Sequence, residues 1–119
     1  MTQRYFAYGS NLNTRDWQGW CEREGYSPDS LQPLFPAFLP DRELRFTYRS
    51  TTRGGGVLDV VPRPGKLVPG VVFEVTEDGW KALDAKEGAP CAYRRIETEC
   101  LTPDGAIHPV AVYEVNCRK

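Results

Sequence analysis

Among the residues whose types and spacing could do chemistry, Glu87 has the strongest claim. Residues Thr76 to Glu87 read as a helix: Thr76 can cap it, Glu77 and Asp78 charge its first turn, and Gly88 with Pro90 stops it. Along it Trp80, Leu83 and Glu87 stand at i, i+3 and i+7, so a carboxylate projects from the apolar face near the helix end. Burial raises a carboxyl pKa, and a general base working near neutrality needs that. The plainer alternative is a helix-end glutamate that reaches solvent or pairs with Arg94 or Arg95. Asp84 is the weaker carboxylate of this helix. The second candidate is Gly9-Ser10-Asn11, which follows a strand-forming stretch and precedes a short helix. A loop of small residues there can aim several backbone N–H groups at one oxygen, with the helix N-terminus adding partial positive charge. Such a loop suits a carboxylate or a developing oxyanion. An ordinary turn, with Asn11 or Asn13 capping the helix, is the alternative.

Other chemistries find little support. The chain holds one histidine, His108, in an alternating stretch before Pro109, so a multi-histidine metal centre cannot be assembled within it. A Ser-His-Asp triad would have to run through that residue. Cys21, Cys91, Cys100 and Cys117 form no CxxC pair and no zinc-ribbon spacing. Neither a metal nor a cofactor is expected. Gly54-Gly55-Gly56 lacks the Lys-Ser/Thr of a phosphate loop and the GxGxxG pattern. Fifteen Lys and Arg against sixteen Asp and Glu give a net charge of -1, without the basic excess of a nucleic-acid binder. The N-terminus shows no run apolar enough for export or membrane spanning, so the expected setting is cytoplasmic, with reduced thiols.

These residues need elements to hold them. At 119 residues and 40% hydrophobic the chain supports one core. Eleven glycines and ten prolines cut it into short units, which favours strands and turns over long helices. Tyr5 to Tyr8 reads as a strand, and Asn13 to Cys21 as a short helix with Trp17, Trp20 and Cys21 on one face. A proline-bearing connection carries Pro33, Pro36 and Pro40. Glu43 to Arg49 alternates as a half-buried strand with Leu44, Phe46 and Tyr48 on one side. Val57 to Val61, closed by Pro62 and Pro64, and Val68 to Val75 read as two further strands. Tyr93 to Leu101 and Ala106 to Val115 flank the turn Thr102-Pro103-Asp104-Gly105 and predict a hairpin. Either tyrosine hydroxyl of that hairpin, Tyr93 or Tyr113, could enter a pocket, or both could serve the core. The expected class is α+β, with five or six strands and one or two short helices.

The two candidate sites gain weight when read together. Tyr5-Phe6-Ala7-Tyr8-Gly9-Ser10-Asn11-Leu12 resembles the signature of the γ-glutamylcyclotransferase-like superfamily. So does Leu83-Asp84-Ala85-Lys86-Glu87-Gly88, with Tyr93 after it. Gly55-Gly56, then Val68-Pro69-Gly70-Val71-Val72-Phe73-Glu74-Val75, follow the same order, and the resemblance runs from Tyr5 to about Val115. It implies a small, largely closed mixed β-barrel with helices packed outside and a pocket at one mouth. It further implies a single domain over residues 1–119, either a short relative or one part of a larger protein. Many members continue into a further segment that helps cover the barrel.

The implied activity is cyclisation of a small-molecule γ-glutamyl compound to 5-oxoproline with release of an amine or amino acid. No metal, cofactor, nucleic acid or membrane takes part. By position Glu87 matches the catalytic base. Tyr5, Ala7, Tyr8, Gly9, Ser10, Asn11 and Leu12 match the substrate-cradling segment, and Tyr93 a pocket tyrosine. Two other functions fit the same fold: ring closure on a γ-glutamyl group carried by a larger amine such as a lysine side chain, and a binding domain without catalysis. A pure binder has no need of a buried carboxylate at Glu87.

Overall fold

A computed structural model describes residues 4–8, 14–50, 55–87 and 93–115. The elements in chain order are β1 (Arg4–Ala7), α1 (Thr14–Glu24), a 3-10 turn (Pro28–Ser30), β2 (Leu31–Ser50), β3 (Gly55–Val75), α2 (Glu77–Glu87), β4 (Tyr93–Leu101) and β5 (Ile107–Val115). The five strands close a barrel in the order β1-β3-β2-β4-β5. β1 meets β5 in parallel, at Tyr5 opposite Ala111, and the other pairings are antiparallel. The expected mixed barrel with helices is therefore present.

Alternation along the strands divides the core into two layers. Phe6, Ala37, Leu39, Val60, Val68, Val72, Cys100, Val110 and Val112 form one buried cluster. Tyr5, Ala7, Trp17, Cys21, Leu31, Phe73, Val75, Ala82, Leu83, Tyr93, Tyr113 and Val115 form the other. The first fills the barrel, and the second lies between its wall and the two helices. Gly70 sits where β3 passes closest to β1: a Cβ there would stand 2.4 Å from the Ala7 carbonyl and 2.5 Å from the Phe6 ring. No larger residue fits without moving the strand that carries Tyr5 and leads into Tyr8.

Two predicted elements behave differently. The proline-bearing connection is strand: β2 runs unbroken from Leu31 and pairs with β3 along its length. Pro33 and Pro40 each border a register shift, where a missing N–H costs the ladder least. Likewise Val57–Val61 and Val68–Val75 are two ends of one strand, β3. Arg42 pairs with Pro62 and Pro40 with Leu67, so residues 63–66 bow out opposite Asp41, which adopts φ 58°. The Gly65 N–H donates to Asp41 Oδ1 at 3.0 Å and closes the bow. Of the prolines read as strand ends, Pro62 thus borders the bulge and Pro64 lies within it. Leu44, expected to be buried, is exposed, while the side chains of Phe46 and Tyr48 lie outside what is described.

The helices follow their local signals. α1 extends to Glu24 and stops at Gly25 (φ 81°), where the Tyr26 N–H returns to the Cys21 carbonyl at 2.9 Å in a Schellman closure. Trp17 anchors it by donating Nε1–H to the Pro28 carbonyl at 3.0 Å. Thr76 caps α2 through its Oγ1, which accepts the Gly79 N–H at 3.2 Å. The predicted turn closes β4 onto β5, with the Gly105 N–H donating to the Thr102 carbonyl at 2.9 Å.

Candidate active site

Because β1 is short, it leaves part of one edge of β5 without a strand partner, although β4 pairs with β5 all along the other edge. It pairs with β5 in parallel at Tyr5 opposite Ala111 and ends at Ala7, level with Tyr113, so the β5 edge toward Val115 runs past it. Side chains take over there. The Tyr8 hydroxyl donates to the Tyr113 carbonyl at 2.5 Å, and Asp59 Oδ1 accepts the Val115 N–H at 2.9 Å and the Val60 N–H at 2.8 Å. An unmet backbone group in such a place would cost about 1–3 kcal/mol. The end of the barrel that holds Tyr8 is thereby built from polar groups withdrawn from water.

Glu87 reaches the same region from α2. The buried residues of that helix are Gly79, Ala82, Leu83 and Glu87, with Trp80 half-buried beside them, so the apolar face does carry a carboxylate at its end. Glu87 is 9% exposed. Its nearness to the tyrosines shows in the Tyr8 phenol, which burial pushes above the ordinary tyrosine range. Tyr93, Asp59, Tyr5 and Glu87 push it further the same way. Tyr8 is therefore a hydrogen-bond donor at any physiological pH.

Four predicted site residues from three separate segments are thus linked: Tyr5, Glu87 and Tyr93 act by charge on the Tyr8 phenol, which packs against the inner cluster while Tyr5 and Tyr93 lie in the outer one. Tyr5 and Tyr93 are buried in the layer under the helices, and Tyr5 meets Tyr113 and Trp80 edge-on at 5.7 and 6.3 Å. Ala7 is buried in that layer too, and its carbonyl faces Gly70. Gly9, Ser10, Asn11 and Leu12 lie outside the described residues, as do Cys91 and Cys117.

The arginines that stood as alternative partners of Glu87 hold other carboxylates. Arg95 lies 3.5 Å from Asp84 Oδ1 and stacks over Trp80 at 4.5 Å. Asp84 also accepts the Tyr113 hydroxyl at 2.5 Å, which ties α2 to β5 one turn before Glu87. Burial, and then that bond to Asp84, push the Tyr113 phenol above its usual range. Arg94 binds Glu114 Oε2 through Nε at 3.0 Å and Nη2 at 2.7 Å, and Arg42 Nη1 binds Glu114 Oε1 at 3.1 Å.

Asp59 and Glu114 did not figure among the candidates. Each was visible as one carboxylate in an apolar run, Val57-Leu58-Asp59-Val60-Val61 and Val112-Tyr113-Glu114-Val115. Apart from Val60, next to Asp59, their partners are far off in the chain, and sequence does not supply them. Among the described residues no three His, Cys, Asp or Glu side chains gather as a metal-ligand group, and no helix is long and apolar enough to cross a membrane.

The closed five-stranded barrel with its two helices matches a solved γ-glutamyl cyclotransferase structure with a TM-score of 0.82 and 28% identity. The match covers 98% of this chain and 68% of that one. The sequence profile of the family "Gamma-glutamyl cyclotransferase, AIG2-like" matches residues 5–119, and the chain belongs to that family. It is 33% identical to the γ-glutamylcyclotransferase of Homo sapiens over 96% of its own length, with the same figures for that of Bos taurus. The chain spans 56% of the length of those two relatives. An AIG2-like protein of Mus musculus shares the fold alone, at 18% identity and a TM-score of 0.67 over 95% of this chain and 76% of that one.

Proposed function

We propose that this chain is a γ-glutamyl cyclotransferase that closes a small γ-glutamyl substrate to 5-oxoproline and releases its amine or amino acid. The observation that carries the reading is the link by charge of buried Glu87, Tyr93 and Tyr5 to the Tyr8 phenol. In the proposed reaction the substrate α-ammonium gives a proton to Glu87. The freed nitrogen attacks the γ-carbonyl carbon, and the carbonyl oxygen takes up negative charge. When that oxygen re-forms the double bond, the C–N bond to the leaving amine breaks as Glu87 returns the proton to that amine; the ring nitrogen, which still carries two protons, then gives one up through Glu87, so the products are the neutral lactam and the amine as its ammonium ion.

Closing a five-membered ring is intramolecular, and well-oriented cases reach effective molarities of about 10⁵ M or more. What remains for the protein is orientation and a home for the oxyanion. Backbone N–H groups around Gly9 to Leu12 are assigned both the substrate α-carboxylate and that oxygen, on the strength of the family signature they belong to. Tyr8 and Tyr93 line the same pocket in this reading. The test is incubation of the pure protein with γ-glutamyl-alanine, glutathione and γ-glutamyl-lysine, with 5-oxoproline read by mass spectrometry. Product from at least one substrate is expected, and its absence from all three overturns the reading.

A further inference from the structure

We infer that Tyr113 is a positioning residue, whose hydroxyl grips Asp84 and so holds the last turn of α2, with Glu87 on it, in register with Tyr8; this rests on the cyclotransferase reading above. Glu87 is the final residue of α2. The end of a helix has carbonyls without intrahelical partners and opens more readily than its middle. A base placed there needs an anchor from outside the helix. Asp84 stands three residues earlier and is a neighbour of Glu87 on the helix surface.

Tyr113 supplies that anchor from β5. It is 2% exposed, and its polar ends meet two different parts of the proposed site. The hydroxyl donates to Asp84 Oδ1 at 2.5 Å, while the backbone carbonyl accepts the Tyr8 hydroxyl at 2.5 Å. Its ring lies edge-on to that of Tyr5 at 5.7 Å, inside the buried outer cluster. One residue thus spans from the helix that carries the carboxylate to the tyrosine that follows β1.

β4 reinforces the grip. Arg95 stands opposite Tyr113 in the β4–β5 register, and both side chains reach Asp84. Arg95 also stacks over Trp80, one turn earlier on α2, so the helix is held at two successive turns by one hairpin. Packing alone does not call for the Tyr113 hydroxyl. A phenylalanine would fill the same space without taking a polar group out of water, which is costly unless that group is bonded. The Asp84 side chain is 38% exposed and has Arg95 besides, so it does not depend on the phenol to be satisfied. What the bond between them fixes is a distance, and misplacing a reacting group by about 1 Å can cost 10²-fold in rate. Burial and the bond to Asp84 push the Tyr113 phenol above its usual range, so it remains a donor.

The test is Tyr113→Phe, which removes the hydroxyl and keeps both the ring and the carbonyl that meets Tyr8. It is assayed with whichever of γ-glutamyl-alanine, glutathione and γ-glutamyl-lysine the wild type turns over fastest. We expect kcat to fall about tenfold, KM to move by less than about twofold, and the thermal midpoint to stay near wild type. Asp84→Ala should cost a similar factor in kcat, and the double variant no more than the slower single one, because both changes remove the same bond. Asp84→Asn keeps an oxygen for the hydroxyl and should recover most of the rate. In a Glu87→Gln background, Tyr113→Phe should leave the residual rate unchanged. Wild-type kcat in Tyr113→Phe, a loss carried by KM, or losses that multiply in the double variant overturn the inference and leave the cyclotransferase reading standing. So does an Asp84→Asn protein as slow as Asp84→Ala, which would assign the effect to the charge paired with Arg95. A further fall in the Glu87→Gln background overturns it too, since the hydroxyl would then act without Glu87. Wild-type protein that forms 5-oxoproline from none of the three substrates brings down that reading, and the inference with it.

Discussion

The two ends of the barrel treat polar groups in opposite ways. Where β4 ends and β5 begins, polar contacts lie near the surface. The Asp104 carboxylate is fully exposed and held below the usual carboxylate range by Thr102 and the Ala106 N–H. Arg4 Nη1 donates to His108 Nδ1 at 3.3 Å, beside a half-buried Phe35. Where β5 finishes, Glu87, Asp59 and Glu114 are all buried. Withdrawing an ionised group from water is costly unless partners meet it, and replacing such groups with apolar ones is often neutral or stabilising. A fold that needed only stability could close both ends in the first manner. The contrast sets the second end apart as the one that holds buried carboxylates, and Glu87, a residue of the family signature, is among them.

The sharpest way to break this comparison is Glu87→Gln. The amide keeps the shape beside Leu83 and Trp80 and loses only the capacity to accept a proton. If Glu87 is the base, 5-oxoproline formation falls roughly 10²-fold or more, the range for a positioned general base. The thermal midpoint stays close to wild type, and KM moves less than kcat. The opposite pattern, lower stability with turnover intact, would make Glu87 a structural carboxylate and place the chemistry elsewhere.

A smaller effect is expected from Asp59, whose work is to meet backbone. Asp59→Ala strips the Val115 N–H of an acceptor inside the fold, and denaturant unfolding should show a loss of about 2 kcal/mol. Asp59→Asn should recover much of it, because an amide oxygen can still accept from both Val115 and Val60. Equal losses in the two variants would mean that the charge matters more than the accepted hydrogen bonds.

These residues also show what the sequence made legible. α2 and Glu87 could be read directly, since cap, first-turn acids, apolar face and stop all lie within 15 residues. The β4–β5 hairpin was equally local, its turn written in four residues. β2 and β3 were not legible as long strands, because Pro33, Pro40, Pro62 and Pro64 ordinarily mark breaks. Here Pro33, Pro40 and Pro62 border register shifts and Pro64 sits inside the bow between two pairs, which only the pairing of the two strands reveals. Asp59 and Glu114 were legible as anomalies in apolar runs but not as partners of Val115, Arg42 and Arg94, since those contacts arise only when the barrel closes. The Glu114 pair with Arg94 spans 20 residues, and that with Arg42 spans 72.

The smallest effect belongs to the opposite end, where His108→Ala serves as the control. His108 accepts from Arg4 and packs against the Phe35 ring at 5.0 Å, while Arg4 stacks over the same ring at 5.6 Å. Removing the imidazole takes away one aromatic contact and one acceptor. Arg4 is left partly exposed, so water can replace that acceptor. Ring contacts of this kind are worth about 0.5–1.5 kcal/mol, and a half-buried site should fall at the low end. Denaturant unfolding should therefore show a loss under about 1 kcal/mol. Turnover and KM should both stay at wild-type values, because β1 passes between Arg4 and Tyr8 without leaving its register on β3, fixed by four pairs from Arg4 with Glu74 to Ala7 with Val71. A fall in turnover well beyond the stability loss would mean that displacement at Arg4 travels along β1 to Tyr8. The two ends would then be one mechanical unit, and the contrast between them a matter of solvent exposure alone.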